Sequence, residues 1–93
     1  MQQFQLIRKE PKVEAVQWQG NYNSAMCVAA FMGEDWATKA TLVDEHGKPN
    51  VRVNTVLGSL SFGEYDWLVR HTNGDYLILS LRTFTQTYEP VVE

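Results

Sequence analysis

A single cysteine, Cys27, stands in the 93 residues, so no intramolecular disulfide can staple the fold and nothing speaks for an oxidising compartment. Glycines number six and are scattered singly, which excludes a phosphate-cradling loop of the GxGxxG or P-loop kind. A cationic surplus is missing too: eight Lys and Arg against eleven Asp and Glu leave a formal charge of -3. That balance argues against a nucleic-acid binder held by phosphate neutralisation. The longest apolar runs, 25–32 and the interrupted 76–81, fall far short of the ~20 residues of a membrane span. Residues 1–5 carry neither a basic n-region nor an apolar h-region, which predicts no secretory signal and a cytoplasmic location. There is no internal repeat, low-complexity tract or linker. What is present, 44% apolar and 20% charged positions, is the make-up of one small globular domain across 1–93, held by packing.

Along the chain, Pro11 ends a polar leader, and residues 12–18 mix β-branched, aromatic and polar positions in the manner of a strand. Asn21, Asn23 and Ser24 are N-cap types ahead of the Ala-rich stretch 25–32, and Gly33 follows as a C′ residue. This predicts a helix. Cys27, Ala30 and Phe31 share one stripe at i, i+3, i+4, widened by Val28 and Met32, which reads as its buried face. Strands separated by turn residues are predicted over 38–44, 51–56, 60–62, 65–70 and 76–81. Asn73-Gly74 is the strongest hairpin signal and suits a type I′ turn. Residues 82–88 fit either a helical turn or an edge strand, and Pro90 ends ordered structure. The predicted architecture is α+β: a curled antiparallel sheet of five or six short strands with one helix packed on it.

Catalytic patterns are thin. His46 and His71 with one cysteine offer no CxxC, HxxxH or HExxH spacing, so no metal site is predicted. Cys27 reads as a small buried hydrophobe and not as a nucleophile. Adjacent acids such as Glu34-Asp35 and Asp44-Glu45 read as solvated turn formers. Glu64 and Asp66, at i and i+2, would share one strand face with Tyr65 and Trp67 on the other, yet nothing marks them as an acid–base pair. No enzyme activity and no cofactor are expected.

The aromatic residues are more informative. Three Trp, four Tyr and four Phe are more ring surface than one small core can enclose. In one reading Trp18, Phe31, Phe62 and Trp67 fill the core and the tyrosines cap its edges. In the other, Tyr65, Trp67, Tyr76 and Tyr88 with Arg70, Arg82, Glu64 and Asp66 form a recognition surface, because Tyr, Trp and Arg dominate binding hot spots.

Two stretches carry a resemblance. Residues 8–20, RKEPKVEAVQWQG, resemble the opening RKKPVVVEAVQWTG of a widespread group of small, mostly uncharacterised bacteriophage and prophage proteins. The later segments Asn73-Gly74-Asp75-Tyr76 and Phe84-Thr85-Gln86-Thr87-Tyr88-Glu89 are similar to that group's ending, an NG-x-Y element followed by F-x-x-TYE. The resemblance implies a phage origin and brings no catalytic residues with it. Taken with the negative charge, the surplus aromatics and the missing catalytic clusters, it implies a non-enzymatic protein that binds and inhibits a host protein or immune complex, such as a CRISPR effector, in the host cytoplasm. Alternatives are a sponge for a nucleotide defence signal, with Arg70 or Arg82 on a phosphate, and a minor virion or assembly component. Neither direct nucleic-acid binding nor membrane association is expected, and the oligomeric state stays open.

Overall fold

A computed structural model describes residues 2–6, 9–55 and 57–91 of the chain. Two antiparallel strands open it, β1 (Gln2–Leu6) and β2 (Lys9–Gln17). The helices α1 (Tyr22–Met32) and α2 (Asp35–Lys39) follow. Then come β3 (Ala40–Glu45), β4 (Lys48–Thr55), β5 (Gly58–Ser61), β6 (Trp67–Arg70) and β7 (Tyr76–Leu79). The chain ends in α3 (Leu81–Thr87) and β8 (Tyr88–Pro90). The class is α+β, as the pattern of short strands predicts. The strands form two sheets where one was expected: a five-stranded sheet in the order β7-β6-β2-β1-β8, and a three-stranded sheet in the order β3-β4-β5. Among the described residues no helix is long and apolar enough to cross a membrane.

The central strand β2 explains the mixed polarity of its sequence, because it is covered on both faces. Val13 and Ala15 point to one side, where Phe4, Val69, Phe84 and Tyr88 close a core under α3, with Trp67 and Leu79 partly buried against it. On the other side Trp18 joins Val28, Phe31 and Met32 of α1, Val51 and Val53 of β4, Phe62, Leu68 and Tyr76. Trp67, expected in the core with Trp18, instead belongs to the α3 side and stacks on Phe84 at 4.3 Å. Each Val, Leu, Phe or Met among them contributes about 1.5–3 kcal/mol when fully buried.

Local chemistry accounts for the boundaries. Pro11 does not end a leader: it lies within β2, where the ladder to β1 jumps from Gln5↔Lys12 to Leu6↔Lys9 and so needs no N–H from it. Asn21 caps α1, its Oδ1 accepting the Ser24 N–H at 2.7 Å and the Ser24 hydroxyl at 2.9 Å. Gly33 closes the helix at φ 58, its N–H reaching the Ala29 carbonyl. The type I′ geometry falls on His46-Gly47, both at positive φ between the paired Glu45 and Lys48. Asn73-Gly74 makes a hairpin of another kind. His71 accepts from the Gly74 N–H and donates to the Asp75 carbonyl, both at 2.9 Å, and Gly74 alone has positive φ in that loop, the three-residue turn with a bulge. Of residues 82–88, all but Tyr88 resolve as helix because Ser80 caps α3, accepting the Thr83 N–H at 3.2 Å, and Tyr88 opens β8. Pro90 is the last residue of β8, an outer strand that among the described residues pairs only with β1, where its missing N–H costs nothing.

Candidate binding surface

Helix α1 carries no charged residue, yet one side of it faces solvent. Its buried face is Ser24, Ala25, Val28, Phe31 and Met32, so the stripe expected from spacing is rotated: Cys27 and Ala30 lie outside. Almost every position from 25 to 32 is apolar, and periodicity alone cannot say which side of such a helix is turned inward. Met26 is 69% exposed, and Asn23, Cys27 and Ala30 share that outer side.

Between this side of α1 and the end of β2 runs a cleft of about 540 Å³, lined by Val16, Gln17 and Gln19, by Asn23, Cys27, Ala30 and Phe31, and by Trp67. None of the described residues lining it is charged. β1 begins at Gln2 opposite Ala15, and among the described residues Val16 and Gln17, which line the cleft, pair with Leu68 and Trp67 of β6. The Ser24 hydroxyl fixes the strand-to-helix connection by accepting the Gln19 N–H at 3.0 Å. The Trp67 indole N–H is buried without a hydrogen-bond partner among the described residues.

The turn after β5 adjoins the cleft through Gln17, whose Nε2 donates to the Tyr65 carbonyl at 3.2 Å. Tyr65 has φ 62 and is nearly half exposed, an uncommon conformation for a bulky residue. It is held there by its neighbours: the Asp66 carboxylate accepts the Gly63 N–H at 2.7 Å, and the Asp66 carbonyl accepts the Trp18 N–H at 2.8 Å. Glu64, Tyr65 and Asp66 thus precede β6 as a turn and do not share alternate faces of a strand, and the Asp66 carboxylate is spent on the turn itself.

The eight candidate residues do not form one surface. Tyr76 is 2% exposed and Tyr88 7%, on opposite faces of the sheet, because each is the large side chain that fills its core. Arg70 turns inward, with Nη2 donating to Glu14 Oε1 and Nη1 to the Phe31 carbonyl, both at 2.8 Å, and its guanidinium 4.5 Å from the Phe31 ring. Burial opposes its charge, and the hydrogen bonds with Glu14 and Tyr76 more than offset this, leaving the group above its ordinary value. Arg82 is exposed on α3. Only Tyr65 and Trp67 adjoin the cleft. Sequence reasoning missed Asn23, Met26, Cys27 and Ala30 as an outer face, because a helix of eleven residues without a charge reads as one buried on most sides.

Tyr76 donates to Asp35 Oδ2 at 2.8 Å. Burial, and then this bond, hold its hydroxyl above the ordinary tyrosine value, and burial does the same at Tyr88. The neutral phenols therefore contribute stability that is complete below the ordinary value of about 10 and lost as pH rises through the raised folded value. Denaturant titrations at rising alkaline pH should show unfolding free energy falling more gently in Tyr76→Phe than in the wild type. Identical slopes would show that Tyr76 carries none of the decline.

Among the described residues no group of three or more His, Cys, Asp or Glu is placed to hold a metal ion. The chain matches no family model, no curated protein and no solved structure.

Proposed function

We propose that this is a non-enzymatic, phage-encoded binding protein that inhibits a host protein or immune complex, and that the outer side of α1 with its adjoining cleft is where the partner docks. The carrying observation is the uncharged helix, with Met26 standing 69% exposed beside a cleft of about 540 Å³. Exposed methionine is an adaptable contact residue, and apolar surface rimmed by polar groups is what binding sites present. The amides of Gln17, Gln19 and Asn23 supply hydrogen bonds around the apolar Val16, Ala30 and Phe31 without imposing a charge on the partner. The resemblance to small phage proteins supports the host side as the source of that partner.

The test is capture from host lysate with the tagged protein, followed by the same capture with Met26→Lys. A lysine at a desolvated contact should weaken binding about tenfold or more, while a surface change of this kind leaves stability within about 0.5 kcal/mol. Equal recovery by the wild type and a stably folded Met26→Lys would move the partner site away from α1, and recovery of no partner would remove the reading.

A further inference from the structure

The geometry points to Tyr65 as a further anchor of the partner-binding surface, carrying it from the cleft onto the turn before β6, where the ring takes an apolar, uncharged segment of the partner. The inference rests on the reading of α1 and its cleft as the docking site. Residues 63–66 form a four-residue turn, closed by the Asp66 N–H donating to the Gly63 carbonyl at 3.2 Å. Tyr65 stands third in it with φ 62, whereas φ at Glu64 is not positive. This is the type II pattern, whose third position calls for Gly or Asn. A bulky side chain held there is strained.

The turn does not use the Tyr65 side chain. Its bonds run from the Gly63 N–H to the Asp66 carboxylate, from the Trp18 N–H to the Asp66 carbonyl, and from the Gln17 amide to the Tyr65 backbone carbonyl. Among the described residues the Tyr65 ring meets no other ring and its hydroxyl has no hydrogen-bond partner, and the residue is 48% exposed. A side chain that the local backbone disfavours, and that ties no other element down, points to a use outside the fold. Exposed tyrosine offers a partner large, rigid contact area at low entropy cost. Gln17 fixes where that contact falls, since the residue that holds the Tyr65 carbonyl also lines the cleft. None of the described residues lining the cleft is charged, so a charged group of the partner would lose its water there without a counter-charge. An apolar segment that fills the cleft and continues over the Tyr65 ring meets no such cost.

Two measurements on the full chain test this. Tyr65→Asn removes the ring and suits the backbone, so its urea midpoint should equal or exceed that of the wild type. Host lysate passed over the immobilised variant should yield at least about tenfold less of the partner that the wild type captures. Tyr65→Phe keeps the ring and should recover that partner as the wild type does. A midpoint that falls in Tyr65→Asn overturns the inference, because the ring then serves folding. Full recovery by Tyr65→Asn beside loss by Met26→Lys also overturns it and leaves the reading of α1 standing. A loss in Tyr65→Phe as large as in Tyr65→Asn would place the contact at the hydroxyl and overturn the ring as anchor. Recovery of no partner by the wild type removes both readings.

Discussion

Replacing Phe84 by alanine should cost about 3–5 kcal/mol, a large share of the roughly 5–15 kcal/mol a small domain possesses. Phe84 is the one buried residue of α3. Its ring stacks on Trp67 at 4.3 Å, meets Phe4 edge-on at 4.7 Å and lies 5.4 Å from Tyr88. Truncation thus opens a cavity among three aromatic rings drawn from β6, β1 and β8, and the helix keeps no other buried anchor. In urea unfolding, the variant's midpoint should fall steeply at an unchanged or slightly altered slope, and near-UV circular dichroism should lose the signal of the stacked pair. Arg82→Ala, two residues away and exposed, is the matched control and should shift the midpoint little. A Phe84→Ala midpoint as close to wild type as that control's would mean that α3 is not anchored through this ring.

The second large effect belongs to Arg70. Arg70→Leu should lose about 2 kcal/mol, chiefly the charge-assisted hydrogen bond to the Phe31 carbonyl and the stacking on the Phe31 ring. The ion pair with Glu14 adds less, because the side chains are 21% and 35% exposed and water screens them. Phe31 lies in the last turn of α1, where carbonyls have no partner within the helix. Arg70 therefore ties the end of α1 to β6 and, through Glu14, to β2. Lysine should not rescue it, since one ammonium cannot reproduce the planar fork that serves both acceptors. Amide hydrogen exchange gives the specific readout: protection should fall at Gly33, whose N–H bonds the Ala29 carbonyl, more than in β4. Rescue by Arg70→Lys, or a uniform loss of protection, would argue against this tie.

How much of this was readable depended on whether the deciding contact was local. The α1 boundaries follow from residues within reach of one another, Asn21 with Ser24 and Gly33 with Ala29; Gly33 was legible as the C-terminal stop, whereas Asn21 was one of three capping types ahead of a helix expected over 25–32, and α1 starts at Tyr22. The rotation of α1 was not legible, because apolar residues surround it and the choice between Cys27 and Ser24 as an inward position is made by the sheets it packs on. β1 was missed for a related reason. A strand written Gln-Gln-Phe-Gln-Leu has little apolar signal and is ordered by the pairing of Phe4 with Val13 and Pro90. Residues 38–39, expected as strand, end α2 instead, with Asp35 and Lys39 paired one turn apart. The candidate surface suffered most. Tyr76 and Arg70 look like hot-spot residues by type, and only the fold shows that Asp35, Glu14 and the Phe31 carbonyl already occupy them.

The strand order has a consequence in time. β1 is paired on one side with β2, its immediate neighbour in sequence, and on the other with β8, Phe4 opposite Pro90. As the chain leaves the ribosome, the outer edge of β1 stays open until residue 90 is available, so the five-stranded sheet is completed last and by its most distant pairing. Sheets closed by such long-range contacts fold on the slower scale of about milliseconds to seconds. Until Tyr88 and Phe84 arrive, Phe4 and Trp67 lack the rings that cover them. A nascent chain of this protein therefore shows its stickiest surface during synthesis, on the side of the sheet away from α1.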